Sequence, residues 1–241
     1  MRSLGCSLGA FLMLASLAAG SSPTDVDIVG SDGAKLRATY TSPGKLGPAM
    51  LLIHQCNMDR TAWNDLTGKL VEAGIHVLSM DLRGFGESPG EPLDSREAFQ
   101  TLMQKSPGDV DAAMSYLLAQ DGVDSERVGA GGASCGAMLT ADLPSRNAAV
   151  RTLMLLSGPP SEAAVSHIAN TPELAVFVAA TTGDTVTPGV ADALRGAVEG
   201  SKNNSSTAKI LEGTEHGLPM FAKNPELGPE LLAWLTGQLK R

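Results

Sequence analysis

Short apolar runs alternate with segments of helical spacing along most of this 241-residue chain, and few architectures accept that order. Ala49-Met50-Leu51-Leu52-Ile53 is continuously apolar, as a strand buried on both faces should be. Trp63, Leu66 and Leu70 then recur at helical intervals up to Gly74, and Ile75 to Met80 reads as a second buried strand. The alternation continues with a helix bearing Val110, Met114 and Leu117 on one stripe, a strand at Arg127 to Gly131, and a helix carrying Met138 and Leu139. Strands follow at Val150 to Leu156 and Leu174 to Ala180, then a helix opened by Pro188, a strand at Ala208 to Leu211, and a last helix with Leu231, Leu235 and Leu239. Ahead of all this, Val26 and Ile28, the turn Asp32-Gly33, and Leu36, Ala38 and Tyr40 keep a period of two and predict an antiparallel hairpin. Strands joined through helices run parallel and need helices on both faces. The expectation is one α/β domain from about residue 23 to Arg241, with a mostly parallel sheet of about eight strands.

The first twenty residues stand apart from that pattern. Arg2 precedes an apolar run from Leu8 to Ala19, too short for a comfortable membrane span, and Ala18, Ala19 and Gly20 are small enough for a signal peptidase. Residues 1–20 therefore read as a secretory signal cut between Ala18 and Ser22, which places the mature protein in the periplasm or outside the cell. Cys6 leaves with the signal, so Cys56 and Cys135 remain, and in an oxidising compartment they are either bridged or two ordinary buried thiols. The net charge of −8, with no basic stripe, argues against nucleic-acid binding. No stable membrane insertion is expected once the signal is removed.

Chemistry enters where the strand Arg127 to Gly131 runs into Gly132-Ala133-Ser134-Cys135-Gly136 and then a helix. A serine between glycines at a tight strand-to-helix turn has its hydroxyl raised above the sheet near a helix N-terminus, and the neighbours must be small to allow the turn. A hydroxyl needs a base to take its proton, and the base needs an acid to fix its tautomer. Both are expected at the ends of later strands: Asp184 after Leu174 to Ala180, and His216 after Ala208 to Leu211. Glu215 is the rival acid, but adjacent residues rarely orient each other's rings. His76 lies inside a strand, His167 in a polar segment without a partner, and His54 in another motif. The predicted catalytic set is Ser134, Asp184 and His216. Its oxyanion hole is expected from the backbone N–H groups of Cys135 and Cys56, with Gln55 as the alternative to Cys56. If both cysteines supply those donors they lie close together, and a bridge between them would lock the hole.

With these residues in place the chain resembles the α/β-hydrolase superfamily, and within it the small dienelactone hydrolase-like branch. The resemblance covers essentially the whole mature sequence. It rests on Leu51-Leu52-Ile53-His54-Gln55, on Asp81-Leu82-Arg83-Gly84-Phe85-Gly86-Glu87-Ser88, on Gly132 to Gly136, on Gly183-Asp184-Thr185-Val186-Thr187-Pro188 and on Gly213-Thr214-Glu215-His216-Gly217. It implies that Asp81 and Arg83 are structural. Two departures stand out. Many relatives have His-Gly where this chain has His54-Gln55, and dienelactone hydrolases use cysteine where Ser134 stands, so their activity is not carried over. The span from Leu156 to Leu174 leaves no room for a helical lid, which implies an open site suited to small soluble acyl substrates. Met58 and Met220 are candidates to line it, although methionine more often fills cores. The leading reading is an exported serine esterase acting on small carboxylic or thio esters, with no metal or organic cofactor. The alternatives are a peptidase of the same fold and a non-catalytic binding protein on a hydrolase scaffold.

Overall fold

The hairpin at the start of the fold pairs β1 (Thr24–Val29) with β2 (Lys35–Thr41), antiparallel and in the register Val26 to Ala38 and Ile28 to Leu36. The computed structural model describes residues 22–241, so the predicted signal segment and Cys6 lie outside the described residues. After the hairpin come β3 (Gly47–Ile53), α1 (Asn64–Glu72), β4 (His76–Met80), α2 (Arg96–Leu118), β5 (Val123–Ala133), α3 (Cys135–Ala141) and α4 (Leu143–Arg146). The chain continues through β6 (Val150–Leu156), α5 (Glu162–Asn170), β7 (Ala175–Thr181), α6 (Val190–Glu199), β8 (Thr207–Leu211), α7 (Met220–Lys223) and α8 (Leu227–Leu239). The eight strands of the described residues form one sheet in the order β1-β2-β4-β3-β5-β6-β7-β8, antiparallel between β1 and β2 and between β2 and β4 and parallel from β4 to β8.

The apolar runs alternate between two faces. Along β3, Ala49, Leu51 and Ile53 pack with Val110, Met114 and Leu117 of α2, while Met50 and Leu52 pack with Leu70 of α1 and Leu235 and Leu239 of α8. Along β7, Phe177 and Ala179 join that second layer, whereas Val176 and Val178 meet Ile168 of α5 and Leu194 of α6. A central strand must be apolar at every position because both faces are covered, and each fully buried Leu or Ile contributes about 2 kcal/mol relative to exposure. Met220 is fully buried in the core with Trp63 and Leu231, so it does not line a site.

The boundaries of β5 and α6 differ from the expectation and those of α2 are set by the structure, each for a local reason. β5 begins at Val123, four residues earlier than read, because Gly47 pairs with Val123 across a register shift while Asp124-Ser125-Glu126 stays polar. α2 starts from Ser95, whose hydroxyl accepts from the Ala98 N–H, and runs on through Pro107. α6 starts at Val190 after Gly189, whose positive φ of 84° caps it, rather than at Pro188. Between β6 and β7 the structure has only α5 as regular secondary structure.

The motif after β4 is structural, as the resemblance implied. The Asp81 carboxylate is fully buried and accepts from the backbone N–H and guanidinium of Arg60 and from the Glu87 N–H. Arg83 is paired with Asp109 and Asp32, tying this turn to α2 and the first hairpin. Burial raises the Asp109 carboxyl above the usual carboxylate range even with Arg83 beside it.

Candidate active site

The turn from β5 to α3 has no room for larger residues. A Cβ on Gly132 would lie 2.4 Å from the Gly136 carbonyl carbon, and one on Gly136 would lie 2.3 Å from the Ile53 oxygen. Between them Ser134 takes φ 52° and ψ −122°, a conformation that costs about 1–3 kcal/mol for a side-chain-bearing residue. The turn is held from outside: Ser134 donates its N–H to the Leu156 oxygen at 2.7 Å, and Gly158 lies so near that a Cβ there would be 2.2 Å from the Ser134 oxygen. Ser157, between those two supports, also has a positive φ, 50°. Sequence reasoning passed over Ser157 and Gly158, because only their contact with β5 in space gives them a role.

Asp184 and His216 are brought together by loops that are themselves zipped. Gly183 donates its N–H to the Gly213 oxygen at 2.8 Å, Thr182 donates to the Leu211 oxygen at 2.8 Å, and the Thr181 hydroxyl donates to the Glu215 oxygen at 2.8 Å. Asp184 is 5% exposed, and its Oδ1 accepts from the N–H groups of Val186 at 3.0 Å and Thr187 at 2.9 Å. Its other oxygen lies 2.7 Å from His216 Nδ1, and His216 Nε2 lies 2.8 Å from Ser134 Oγ. A carboxylate only accepts, so Nδ1 carries the proton and Nε2 is left as the acceptor for the Ser134 hydroxyl. Glu215 turns away, its carboxylate accepting from the Thr214 N–H. His76 is engaged inside the sheet, and His167 lies 3.4 Å from the Thr171 hydroxyl.

The loop after β3 forms the opposite wall. Cys56 and Cys135 are joined by a disulfide, with Cα atoms 5.9 Å apart, so the bridge left open by the sequence is present. The backbone N–H groups of Asn57 and Met58 both donate to the Gln55 oxygen, at 2.9 and 3.0 Å. That same carbonyl lies 2.8 Å from His54 Nδ1, while His54 Nε2 accepts from the Leu82 N–H at 2.9 Å. The ring is therefore neutral with Nδ1–H donating, and burial pushes its pKa down.

The Gln55 side chain is 2% exposed and bridges two loops. Its Oε1 accepts from the Leu218 N–H at 2.9 Å, and its Nε2 donates to Asn57 Oδ1 at 2.7 Å. Gly217, with φ 68°, makes room, since a Cβ there would lie 2.2 Å from that Oε1. This strap was not read from the sequence, although the replacement of His-Gly by His54-Gln55 was its visible signal.

Ser134, His216, Gln55, Cys56 and Asn57 line one cleft of about 400 Å³ together with Val186, Thr214 and Pro219. Met58 is not among the residues that line it. Hollows of about 480 and 580 Å³ occur elsewhere, but neither contains a serine and histidine placed to react. Among the described residues no group of three or more His, Cys, Asp or Glu side chains is gathered for a metal ion, and no helix is long and apolar enough to cross a membrane.

Residues 45–218 match the family described as serine aminopeptidase, S33. An uncharacterized protein of Mycobacterium tuberculosis (strain ATCC 25618 / H37Rv) is 34% identical over 122 residues, covering 49% of this chain and 40% of that protein. The thiohydrolase aneE of Aspergillus aculeatus is 30% identical over 112 residues, covering 46% of this chain and 34% of that protein. The matched stretch thus spans less than half the length of either curated relative. Among solved structures, the Pyrococcus furiosus esterase Pf2001 is similar in fold, with a TM-score of 0.73 over 91% of this chain and 93% of that one at 17% identity. With the family match extending over well more than half its length and a sheet ordered as described above, the chain belongs to the serine aminopeptidase S33 family of α/β hydrolases.

Proposed function

We propose that this chain is an exported serine hydrolase of the dienelactone hydrolase-like branch that cleaves carboxylic or thio esters of small soluble substrates through an acyl-enzyme. The observation that carries this reading is the unbroken hydrogen-bonded path from Ser134 Oγ through His216 to the buried Asp184 carboxylate. His216 Nε2 takes the hydroxyl proton as Ser134 Oγ attacks the acyl carbon, and Asp184 steadies the imidazolium without taking a proton itself. The carbonyl oxygen becomes an anion, held by the backbone N–H groups of Cys135 and of Cys56, with Gln55 as the alternative second donor. Two observations support Cys56: it shares the cleft with Ser134, and the next two amides of its loop are already spent on the Gln55 carbonyl. His216 then protonates the departing alkoxide or thiolate. A water deprotonated by the same ring attacks the acyl carbon, releasing the acid and restoring Ser134.

The family's description invites a peptidase reading, but the residues lining the cleft include no Asp or Glu to hold a substrate's free amine. The esterase and thiohydrolase among the similar proteins suit acyl transfer from oxygen or sulfur. Export rests on the composition of residues 1–20. The test is labelling of the purified mature protein with a fluorophosphonate, with the adduct mapped by mass spectrometry. A stoichiometric adduct on Ser134 is expected, absent from Ser134→Ala and from heat-denatured protein. A folded protein that takes no label and hydrolyses no activated ester overturns the reading in favour of a binding role.

A further inference from the structure

Asn57 is exposed and lines the cleft beside Ser134, yet its amide is not free to turn. The direction is fixed by a chain of donors beginning at a backbone N–H, which can only donate. The Leu218 N–H donates to Gln55 Oε1, so the other arm of that amide is Nε2, and Nε2 donates to Asn57 Oδ1. Asn57 is left with Nδ2 outward, a donor with no partner among the described residues. Gln55 itself is 2% exposed, so this direction is set from inside the protein rather than by solvent.

We propose that Asn57 Nδ2 is a specificity-determining donor for an acyl group carrying a neutral acceptor oxygen, such as an alkoxy or hydroxy substituent, close to the scissile carbonyl, and that Gln55 is its positioning residue. The inference rests on Ser134 acting as the nucleophile. His216 must face the departing group to protonate it and the carbonyl oxygen is held at Cys56, so an acceptor on the acyl carbon next to the carbonyl is carried alongside that oxygen toward Asn57, the neighbour of Cys56 in the cleft lining. The cleft lining carries no Lys, Arg, Asp or Glu, so a charged acyl substituent finds no counter-ion there, whereas a neutral oxygen finds the Asn57 donor. A purely alkyl acyl group of the same size leaves that donor unmatched.

Para-nitrophenyl methoxyacetate and para-nitrophenyl butyrate differ by one ether oxygen in place of a methylene. Their ratio of kcat/KM, compared between the wild type and each variant, cancels their different intrinsic reactivities. In Asn57→Asp the bond from Gln55 Nε2 is retained but the outward donor becomes an acceptor, and the ratio is expected to fall about tenfold. Asn57→Leu, which has no donor and no charge, is expected to lower it about fivefold. Gln55→Glu keeps the acceptor for Leu218 but removes the donor to Asn57, so the Asn57 amide turns over and the ratio falls as it does in Asn57→Asp. A merely structural Gln55 would lower both rates together and leave the ratio alone. Ratios within twofold of wild type in both Asn57 variants, each folded by circular dichroism and labelled on Ser134 by fluorophosphonate, overturn the inference while leaving the hydrolase reading intact. A wild-type protein inert to both esters and to the label overturns the hydrolase reading and the inference with it.

Discussion

Asp184 holds His216 in one tautomer through one short contact, and the carboxylate that makes it is buried. In Asp184→Asn the shape is retained, but the amide that replaces the carboxylate is anchored by the Val186 and Thr187 N–H groups, which require an oxygen facing them. Its NH2 therefore faces Nδ1, which must give up its proton and accept. Nε2 becomes protonated and loses its ability to take the Ser134 proton. The expected outcome is a fall in kcat of roughly 10³ to 10⁴ with KM changed little, read by steady-state hydrolysis of an activated ester. Glu215→Gln, which alters a carboxylate that among the described residues accepts only from the Thr214 N–H, is expected to stay within about twofold of wild type in the same assay. Equal losses in the two variants would mean that Asp184 is not the acid that orients the base.

The loop after β3 is held to the elements that present Ser134 and His216 by two different fasteners. The Cys56–Cys135 bridge ties the loop after β3 to the first residue of α3, and the Gln55 strap ties the same loop to the turn preceding α7. A bridge across 79 residues of sequence removes chain entropy from the unfolded state, worth about 4 kcal/mol if the native geometry is unstrained. Reduction is therefore expected to lower Tm by about 10 °C in scanning calorimetry, with alkylation finding two more thiols, Cys56 and Cys135, in the reduced protein than in the unreduced one. An unmoved Tm after complete reduction would show that the loop is held without the bridge. At this scale much was legible. The apolar runs fixed β3, β4, β6 and β7 because strands buried on both faces admit few polar residues, and the small residues around Ser134 marked the turn because its neighbours sit within van der Waals contact. The early start of β5 was hidden because its first residues are half-buried or exposed and Asp124-Ser125-Glu126 is polar. The strap was hidden for a different reason: a buried glutamine linking two loops 163 residues apart leaves no periodic trace.

Across the whole molecule, two histidines are built in as neutral rings. His54 donates from Nδ1 to the Gln55 oxygen and accepts at Nε2 from the Leu82 N–H. His76 is fully buried, with Nε2 2.9 Å from the Lys45 oxygen and Nδ1 2.7 Å from the Tyr40 hydroxyl. The order Ser134, Asp184, His216 could be read because each residue lies in the segment that follows a strand, but the neutral state of His54 and His76 depends on burial and on contacts such as Leu82 and Tyr40 that are distant in sequence, and could not. Desolvation by burial is the largest cause of a lowered pKa in both. In the unfolded chain each titrates near its ordinary value of about 6.5. The unfolded state therefore binds more protons than the folded state once the pH falls below that value, and unfolding is favoured by acid. This part of the stability is complete above about pH 6.5 and is lost as the pH falls toward the lowered folded values. For His54 there is a direct steric reason: a proton added at Nε2 would point at the Leu82 N–H, and the loop that carries Gln55, Cys56 and Asn57 rests on that ring. Urea midpoints measured at fixed ionic strength are expected to drop between pH 7 and pH 5, with the same fall smaller in His76→Gln, which removes one of the two titrating rings. Because the raised Asp109 carboxyl titrates in the opposite sense, the deciding comparison is between wild type and His76→Gln, and an equal fall in both would mean that His76 is not held as a neutral ring in the folded protein.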